Sequence, residues 1–149
     1  MGNRVFAFSN LAALIHYCAT FAITFLLSLY LQHVKGLSPS QAGFVLVIEP
    51  LLQAVFSPLA GRLSDRYEPR IISSIGMSIT VVGLAGLIFI ASDTPLYGIV
   101  CCLALLGIGF ALFSSPNVNA VMSSVEDRFY GLASATQATM RMVGQRLSM

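Results

Sequence analysis

Three ionisable side chains, Glu49, His16 and Arg141, lie in the middle of long apolar stretches. A helix rises ~1.5 Å per residue, so the carboxyl group of Glu49 lies roughly 15 Å from the start of its stretch. If the stretches cross a membrane, all three groups lie near the middle of the hydrocarbon, where ionisable groups are costly and mark functional sites by default. The chemistry open to them there is proton exchange or the binding of a polar ligand.

Glu49 begins a polar stripe, because Gln53 and Ser57 follow it at i+4 and i+8 on the same helix face. Pro50 and Pro58 each remove a backbone donor, which frees a carbonyl four residues earlier and bends the helix. Two roles are open for Glu49. It exchanges protons in a water-filled cavity, or it stays protonated as a structural carboxyl that bonds a freed carbonyl or a threonine of a neighbouring helix.

His16 begins a second polar edge, with Thr20 and Thr24 following at steps of four and Tyr17 beside it. A histidine in such a place is either a satisfied core residue or a site for a proton or a ligand. The sequence leaves both roles open.

Arg141 shares one face of its helix with Gln137 and Gln145. We expect this guanidinium to be buried, and because it cannot give up its proton it then needs an anionic or carbonyl partner. Glu49 is the obvious candidate, and a substrate anion or a residue outside this chain are the alternatives.

The elements that must position these groups are membrane-spanning helices. Of the 149 residues 56% are hydrophobic and 9% are charged, whereas a soluble domain carries about 25% charged residues. Disorder requires low hydrophobicity, and a net charge of +2 without a Lys/Arg cluster argues against nucleic-acid binding. The three cysteines all lie in apolar runs, so we expect neither a disulfide nor a metal site.

Charged residues divide the chain into five apolar segments. The first four are long enough for the about 20 residues that a crossing needs. The fifth starts like a span but carries Arg141 and Arg146, and the sequence stops before about 20 residues are complete. We therefore predict an all-α membrane protein with one membrane domain over residues 1–149 and spans at about 6–31, 39–61, 71–91, 95–121 and 131–149.

Local signals mark several helix boundaries. Ser38 is a predicted cap, followed by Pro39 at the first helical position and by Gln41 three residues after the cap. The stretch Ser115-Pro116-Asn117 predicts a break near the cytoplasmic end of the fourth span, either as a kink or as a binding element. The short connections between segments imply that successive helices run antiparallel.

Small residues at steps of four predict the faces through which the helices pack. In the third span these are Gly76 and Thr80, and in the fourth they are Gly107, Ala111 and Ser115.

The distribution of positive charge predicts the orientation in the membrane. The N-terminal tail and the second and fourth connections would share one side and hold five basic residues, while the first and third connections hold only Lys35. We therefore expect a multi-pass protein of the cell membrane with a cytoplasmic N-terminus. The five are Arg4, Arg62, Arg66, Arg70 and Arg128.

The second connection, Gly61-Arg62-Leu63-Ser64-Asp65-Arg66-Tyr67-Glu68-Pro69-Arg70, resembles the cytoplasmic signature of the major facilitator superfamily, G-x-L-[A/S]-D-R-x-G-R-[R/K]. Glu68 stands where that pattern has glycine. The resemblance implies that the aspartate caps a helix and that the arginines bridge to helices of the opposite half of the carrier. The matching positions are Gly61, Leu63, Asp65, Arg66 and Arg70.

Further stretches are similar to the C-terminal half of the fourteen-span drug–proton antiporters in that superfamily. They include Tyr30-Leu31-Gln32, Ser57-Pro58-Leu59-Ala60-Gly61, Pro116-Asn117 and Arg141-x-x-Gly144. The resemblance covers essentially the whole chain. It implies the first five helices of a six-helix half-bundle, the last of them truncated, while the family's proton-carrying acids lie mostly in the N-terminal half.

The expected function is that of part of a secondary transporter, which exports drugs or other hydrophobic small molecules against protons by alternating access. Its expected partners are membrane lipid, protons, a small-molecule substrate and the missing N-terminal half, and we expect no cofactor. A complete carrier needs two halves, so these residues are not expected to transport alone. The candidate substrate or proton site comprises Glu49, His16, Gln53 and Arg141.

Two other functions compete with this one. A non-transporting or small oligomeric multidrug membrane protein would use Glu49 as its essential acid, but it would leave the signature connection unexplained. An intramembrane enzyme is disfavoured because the sequence lacks paired aspartates within spans, H-E-x-x-H and G-x-S-x-G.

Overall fold

A computed structural model describes residues 2–91 and 93–147, and these form helices joined by short connections without any β-strand. The all-α membrane fold predicted from the sequence is thus confirmed. The last two residues of the fifth predicted span, 148 and 149, lie outside the described residues. The helices are α1 (Gly2–His33), α2 (Pro39–Leu46), α3 (Ile48–Arg66), α4 (Pro69–Ile88), α5 (Leu96–Ser123) and α6 (Tyr130–Leu147), with a 3₁₀ turn at Asp127–Phe129.

Four helical stretches of the described chain are long and apolar enough to cross a membrane. Three of them lie within α1, α4 and α5, and α2 and α3 together form the remaining one. Helix α6 is not among these four, because two arginines and two glutamines lie along its 18 residues.

Helix α2 begins as its sequence predicts. The Ser38 hydroxyl accepts a hydrogen bond from the Gln41 backbone N–H at 3.3 Å, and the Gln41 side chain accepts one from the Ser38 N–H at 3.0 Å. Pro39 occupies the first turn, where its missing N–H costs nothing. Two N–H groups that the helix cannot satisfy are thereby paired.

The two prolines of the second span act differently. Helical structure is interrupted at Val47, between α2 and α3, one turn before Pro50. Pro50 has no N–H for the carbonyl of Leu46, which explains the interruption. Pro58 lies inside α3 and the helix continues through it.

Helix α5 also runs through Pro116 and ends at Ser123. The predicted break is therefore not an interruption of the fourth span, and a kink at Pro116 stays a prediction. A proline removes one hydrogen bond, and the remaining bonds of a 28-residue helix keep the chain helical on both sides.

The chain divides into two compact units, one of residues 27–116 and one of residues 1–26 with 117–149. In the first unit, apolar side chains from the end of α1, from α2 and from α5 form one buried cluster. Its members are Leu27, Leu31, Ala42, Val45, Ile99 and Leu103.

Helices α4 and α5 of that unit cross in close contact at glycines. A Cβ added to Gly76 would lie 2.8 Å from the carbonyl oxygen of Gly109, and one added to Gly109 would lie 2.5 Å from the Thr80 hydroxyl. Any side chain at either position would push the backbones apart. The small-residue face predicted for α4 is the contact face.

Helix α5 uses a second small-residue face against α3. A Cβ at Gly107 would lie 2.5 Å from the carbonyl oxygen of Glu49, and Ala111 is fully buried one turn later. The Ser115 hydroxyl donates to the carbonyl of Ser57 at 3.4 Å. The predicted Gly107, Ala111 and Ser115 face thus packs on α3.

The first connection is tied to the third by side chains within the same unit. The Tyr30 hydroxyl donates to the carbonyl of Ala91 at 2.7 Å, and the Lys35 ammonium donates to the carbonyl of Thr94. The Thr94 hydroxyl accepts from the Ala91 N–H at 2.8 Å. These bonds pair two carbonyls and one N–H group of the connection between α4 and α5.

The second unit contains the start of α1, the end of α5 and helix α6. Asn117 on α5 is buried and its side-chain amide donates to the carbonyl of Ser9 at 3.2 Å. A Cβ at Gly144 on α6 would lie 2.8 Å from the carbonyl of Leu14 and 3.2 Å from the backbone N of Cys18. Helix α6 therefore packs directly on the backbone of α1.

Candidate functional site

Glu49 is buried in the first turn of α3, with 4% of its surface exposed. The helix is interrupted just before it, at Val47, and the backbone of α5 lies against its carbonyl at Gly107. The packing thus holds the backbone of Glu49 beside this one-residue interruption.

Gln53 lies one turn after Glu49 and is half-buried. Ser57, one turn further, accepts the bond from Ser115 through its carbonyl. The polar stripe predicted on this helix therefore exists, and Glu49 and Ser57 of it contact α5 through their backbone.

His16 is buried in α1, with 5% of its surface exposed, and its ring meets that of Tyr17 edge-on at 5.7 Å and 70°. The Thr20 hydroxyl donates to the carbonyl of His16 at 2.8 Å, and the Thr24 hydroxyl donates to the carbonyl of Thr20 at 3.0 Å. The threonines of the predicted polar edge thus bond their own helix.

Arg141 lies over the ring of Tyr17, with the guanidinium carbon 5.6 Å from the ring centre. This side chain is exposed, so the expectation that it is buried is wrong for this chain. Gly144, one turn later, is the residue that brings α6 onto α1. Because Glu49 belongs to the other unit, its predicted pairing with Arg141 stays a prediction.

The signature segment is mostly helical. Helix α3 continues to Arg66, so that only Tyr67 and Glu68 separate it from α4. Glu68 has φ −57° and ψ 121°, a conformation open to any residue, which explains how it replaces the glycine of the pattern. Asp65 is exposed in the last turn of α3, and the described residues show no capping bond from it.

A groove of about 660 Å³ opens at this end of the first unit. Its charged lining residues are Arg62, Asp65 and Arg66, all exposed. Two cations and one anion beside an apolar wall provide a surface that can form ion pairs and still bury hydrocarbon. The apolar wall consists of Phe56, Leu59, Ala60, Leu63 and Leu112.

Sequence reasoning missed Asn10 as a buried polar residue of α1. It is 5% exposed, its amide donates to the carbonyl of Phe6 at 2.9 Å, and its side-chain oxygen accepts no hydrogen bond from the described residues. An asparagine inside an apolar run was the available signal. In the parts of the chain that the structure describes, no three His, Cys, Asp or Glu residues are grouped so as to hold a metal ion.

Comparison with known proteins decides which family these helices represent. The family model of the Major Facilitator Superfamily matches residues 3–149. The chain belongs to the Major Facilitator Superfamily. The matched range includes the signature segment of residues 61–70.

The chain is 34% identical to the riboflavin transporter RibZ of Clostridioides difficile, over 93% of this chain and 30% of that protein. It is 32% identical to the uncharacterized transporter YebQ of Escherichia coli, over 95% of this chain and 31% of that protein. It is 31% identical to the lincomycin resistance protein LmrB of Listeria monocytogenes, over 79% of this chain and 25% of that protein. The chain thus spans less than a third of the length of these major-facilitator relatives.

Proposed function

We propose that the chain is part of a proton-coupled major-facilitator carrier that exports drugs or other hydrophobic small molecules by alternating access. Family membership supports transport, and relatives named for riboflavin transport and lincomycin resistance support organic small molecules as substrates. The proposal includes a cytoplasmic N-terminus, a partner half that completes the carrier and no catalytic activity.

The observation that carries proton coupling is the burial of Glu49. A charged carboxylate is costly in a dry interior and is tolerated once water or a cation reaches it. Glu49 is 4% exposed and directly precedes Pro50, a residue type at which helices kink. A rearrangement there would give Glu49 a different proton affinity in each conformation of the carrier. A proton-coupled antiporter requires such a difference.

The test uses the product of the complete reading frame that contains these residues, hereafter the full-length protein, reconstituted in liposomes. Riboflavin and lincomycin efflux is measured at two pH gradients for the wild type and for Glu49→Gln. The substitution keeps the shape and hydrogen bonding of the side chain but removes its titration. We expect substrate binding to persist and the dependence of flux on the pH gradient to weaken.

The matched control is Glu126→Gln, because Glu126 is exposed and pairs at 2.8 Å with exposed Arg128. This variant should retain the wild-type dependence. If Glu49→Gln shows the same gradient dependence as the wild type, Glu49 is a structural carboxyl and the coupling residue lies elsewhere.

A further inference from the structure

We propose that Arg141 and Tyr17 form a subsite for a flat aromatic substrate whose ring edge carries an anionic or carbonyl oxygen. The inference deepens the proposed function, and it depends on that function only for the claim that the bound molecule is transported. Both residues belong to the unit formed by residues 1–26 and 117–149.

The depth of the pair follows from Tyr17. The span of α1 runs from Phe6 to His33, so Tyr17 lies about 17 Å from one end and about 24 Å from the other at ~1.5 Å per residue. Because the guanidinium of Arg141 lies over this ring, it shares that depth. A permanent cation near the middle of a membrane requires an anionic or carbonyl partner.

The sequence of this unit has two side-chain carboxylates, Glu126 and Asp127, both between α5 and α6, and Glu126 pairs with Arg128. Arg141 is exposed instead, and its guanidinium carbon lies over the ring of Tyr17. A guanidinium presents five N–H donors, and none of them bonds an oxygen of the described residues. The donors are thus available to an oxygen of a bound molecule.

The Tyr17 half of the pair is held in place by its surroundings. Helix α6 packs on the backbone of α1 at Gly144, where a Cβ would lie 3.2 Å from the Cβ of Tyr17. The buried ring of His16 meets the Tyr17 ring edge-on. A ring that is fixed before binding loses little entropy when the ligand arrives.

These features define the class of ligand. Donors at the rim of the guanidinium favour a carboxylate, phenolate or carbonyl oxygen, and the adjacent half-buried Tyr17 ring favours a planar aromatic body. A cationic ligand would be repelled by Arg141. Gln137, half-buried one turn before Arg141 on the same face, adds an amide that can bond a second polar atom.

The experiment is equilibrium binding to the full-length protein in lipid nanodiscs without a proton gradient, with empty nanodiscs subtracted. The probes are 2-naphthoate, decanoate and the 2-naphthylmethylammonium cation, so that ring and charge are varied separately. We expect the wild type to bind 2-naphthoate more tightly than decanoate and to bind the aromatic cation weakest.

Two variants address the two residues. Arg141→Lys keeps the charge but loses the planar donors, and should weaken 2-naphthoate binding about tenfold. Tyr17→Leu should weaken it about fivefold and remove the preference over decanoate, whereas Tyr17→Phe should retain both. The controls Arg146→Lys, on the exposed end of α6, and Tyr97→Leu, at an exposed residue of α5, should bind like the wild type.

Unchanged 2-naphthoate affinity in Arg141→Lys, or equal affinity of the wild type for the aromatic cation, would overturn the subsite. Elution of each variant as a monodisperse peak shows that a loss of binding is not a loss of folding. Binding that depends on Arg141 in a protein without proton-driven flux would refute the proposed function and leave the subsite standing. Proton-driven flux in a protein whose 2-naphthoate binding is insensitive to both residues would refute the subsite and leave the proposed function standing.

Discussion

Glu49 and Arg141 show how differently two charged side chains of apolar segments are accommodated. Glu49 is buried where α3 meets α5, and a carboxyl group can gain or lose a proton. Arg141 is exposed, cannot change its charge, and lies over Tyr17. Under the two proposals above, the first residue exchanges protons and the second binds a ligand.

Asp65 carries a prediction at the same scale. Asp65→Asn in the full-length protein should abolish or strongly lower transport while expression stays normal. The reason is that a carboxylate beside Arg62 and Arg66 in an open groove can shift the balance between carrier conformations, and a few kcal/mol suffices for that. The measurement is efflux from cells at matched expression.

The control for Asp65 is Glu68→Gln, since Glu68 is an exposed carboxylate three residues away whose side chain makes no capping bond. It should transport like the wild type. If Asp65→Asn showed wild-type efflux, the signature segment would act only as a charged connection between two helices.

At the scale of the elements, the helices of residues 27–116 are held at distances that only small residues permit. Helix α5 meets α4 through Gly109 and α3 through Gly107, on two different faces. Close backbone approach allows extensive van der Waals contact, which drives helix association where lipid competes with apolar side chains. These crossings hold Glu49 in place.

Gly109→Ala should destabilise the protein by about 1–3 kcal/mol, because the added Cβ would lie 2.5 Å from the Thr80 hydroxyl and 2.9 Å from the carbonyl of Gly76. Thermal unfolding of the detergent-solubilised protein measures the change. Gly43→Ala is the control, since a Cβ there meets nothing within 4 Å. That variant should be neutral or stabilised by up to about 1 kcal/mol, because alanine favours a helix over glycine. If Gly109→Ala were as stable as the wild type, the crossing of α4 and α5 would have to accommodate the added Cβ without cost.

At the scale of the whole molecule, the helices long and apolar enough to span a membrane, together with the family match, make this a multi-pass membrane protein. Its orientation is a prediction from charge alone, which places five basic residues on the cytoplasmic side and Lys35 on the other. The connection containing Tyr67 would then be cytoplasmic and Lys35 would face outside.

Single-cysteine labelling with a membrane-impermeant reagent tests this orientation in a variant in which Cys18, Cys101 and Cys102 are replaced by alanine. Lys35→Cys should react in intact cells. Tyr67→Cys, at an exposed position between α3 and α4, should react only after permeabilisation. Labelling of Tyr67→Cys from outside would invert the topology.

The sequence by itself determined the helical class, the capped start of α2 and the family, because each depends on residues close together in the chain. Helix formation and capping are local, and a span needs only enough consecutive apolar residues. It also indicated the small-residue faces, since their spacing follows the helical period.

Only the tertiary structure decided which helix each face meets, that α5 continues through Pro116, and that Arg141 lies exposed over Tyr17. It also revealed buried Asn10, whose burial is set by helices distant in sequence. These features depend on how closely two backbones approach, and that distance is set jointly by residues far apart, such as Gly144 and Leu14. No local pattern contains both members of such a pair.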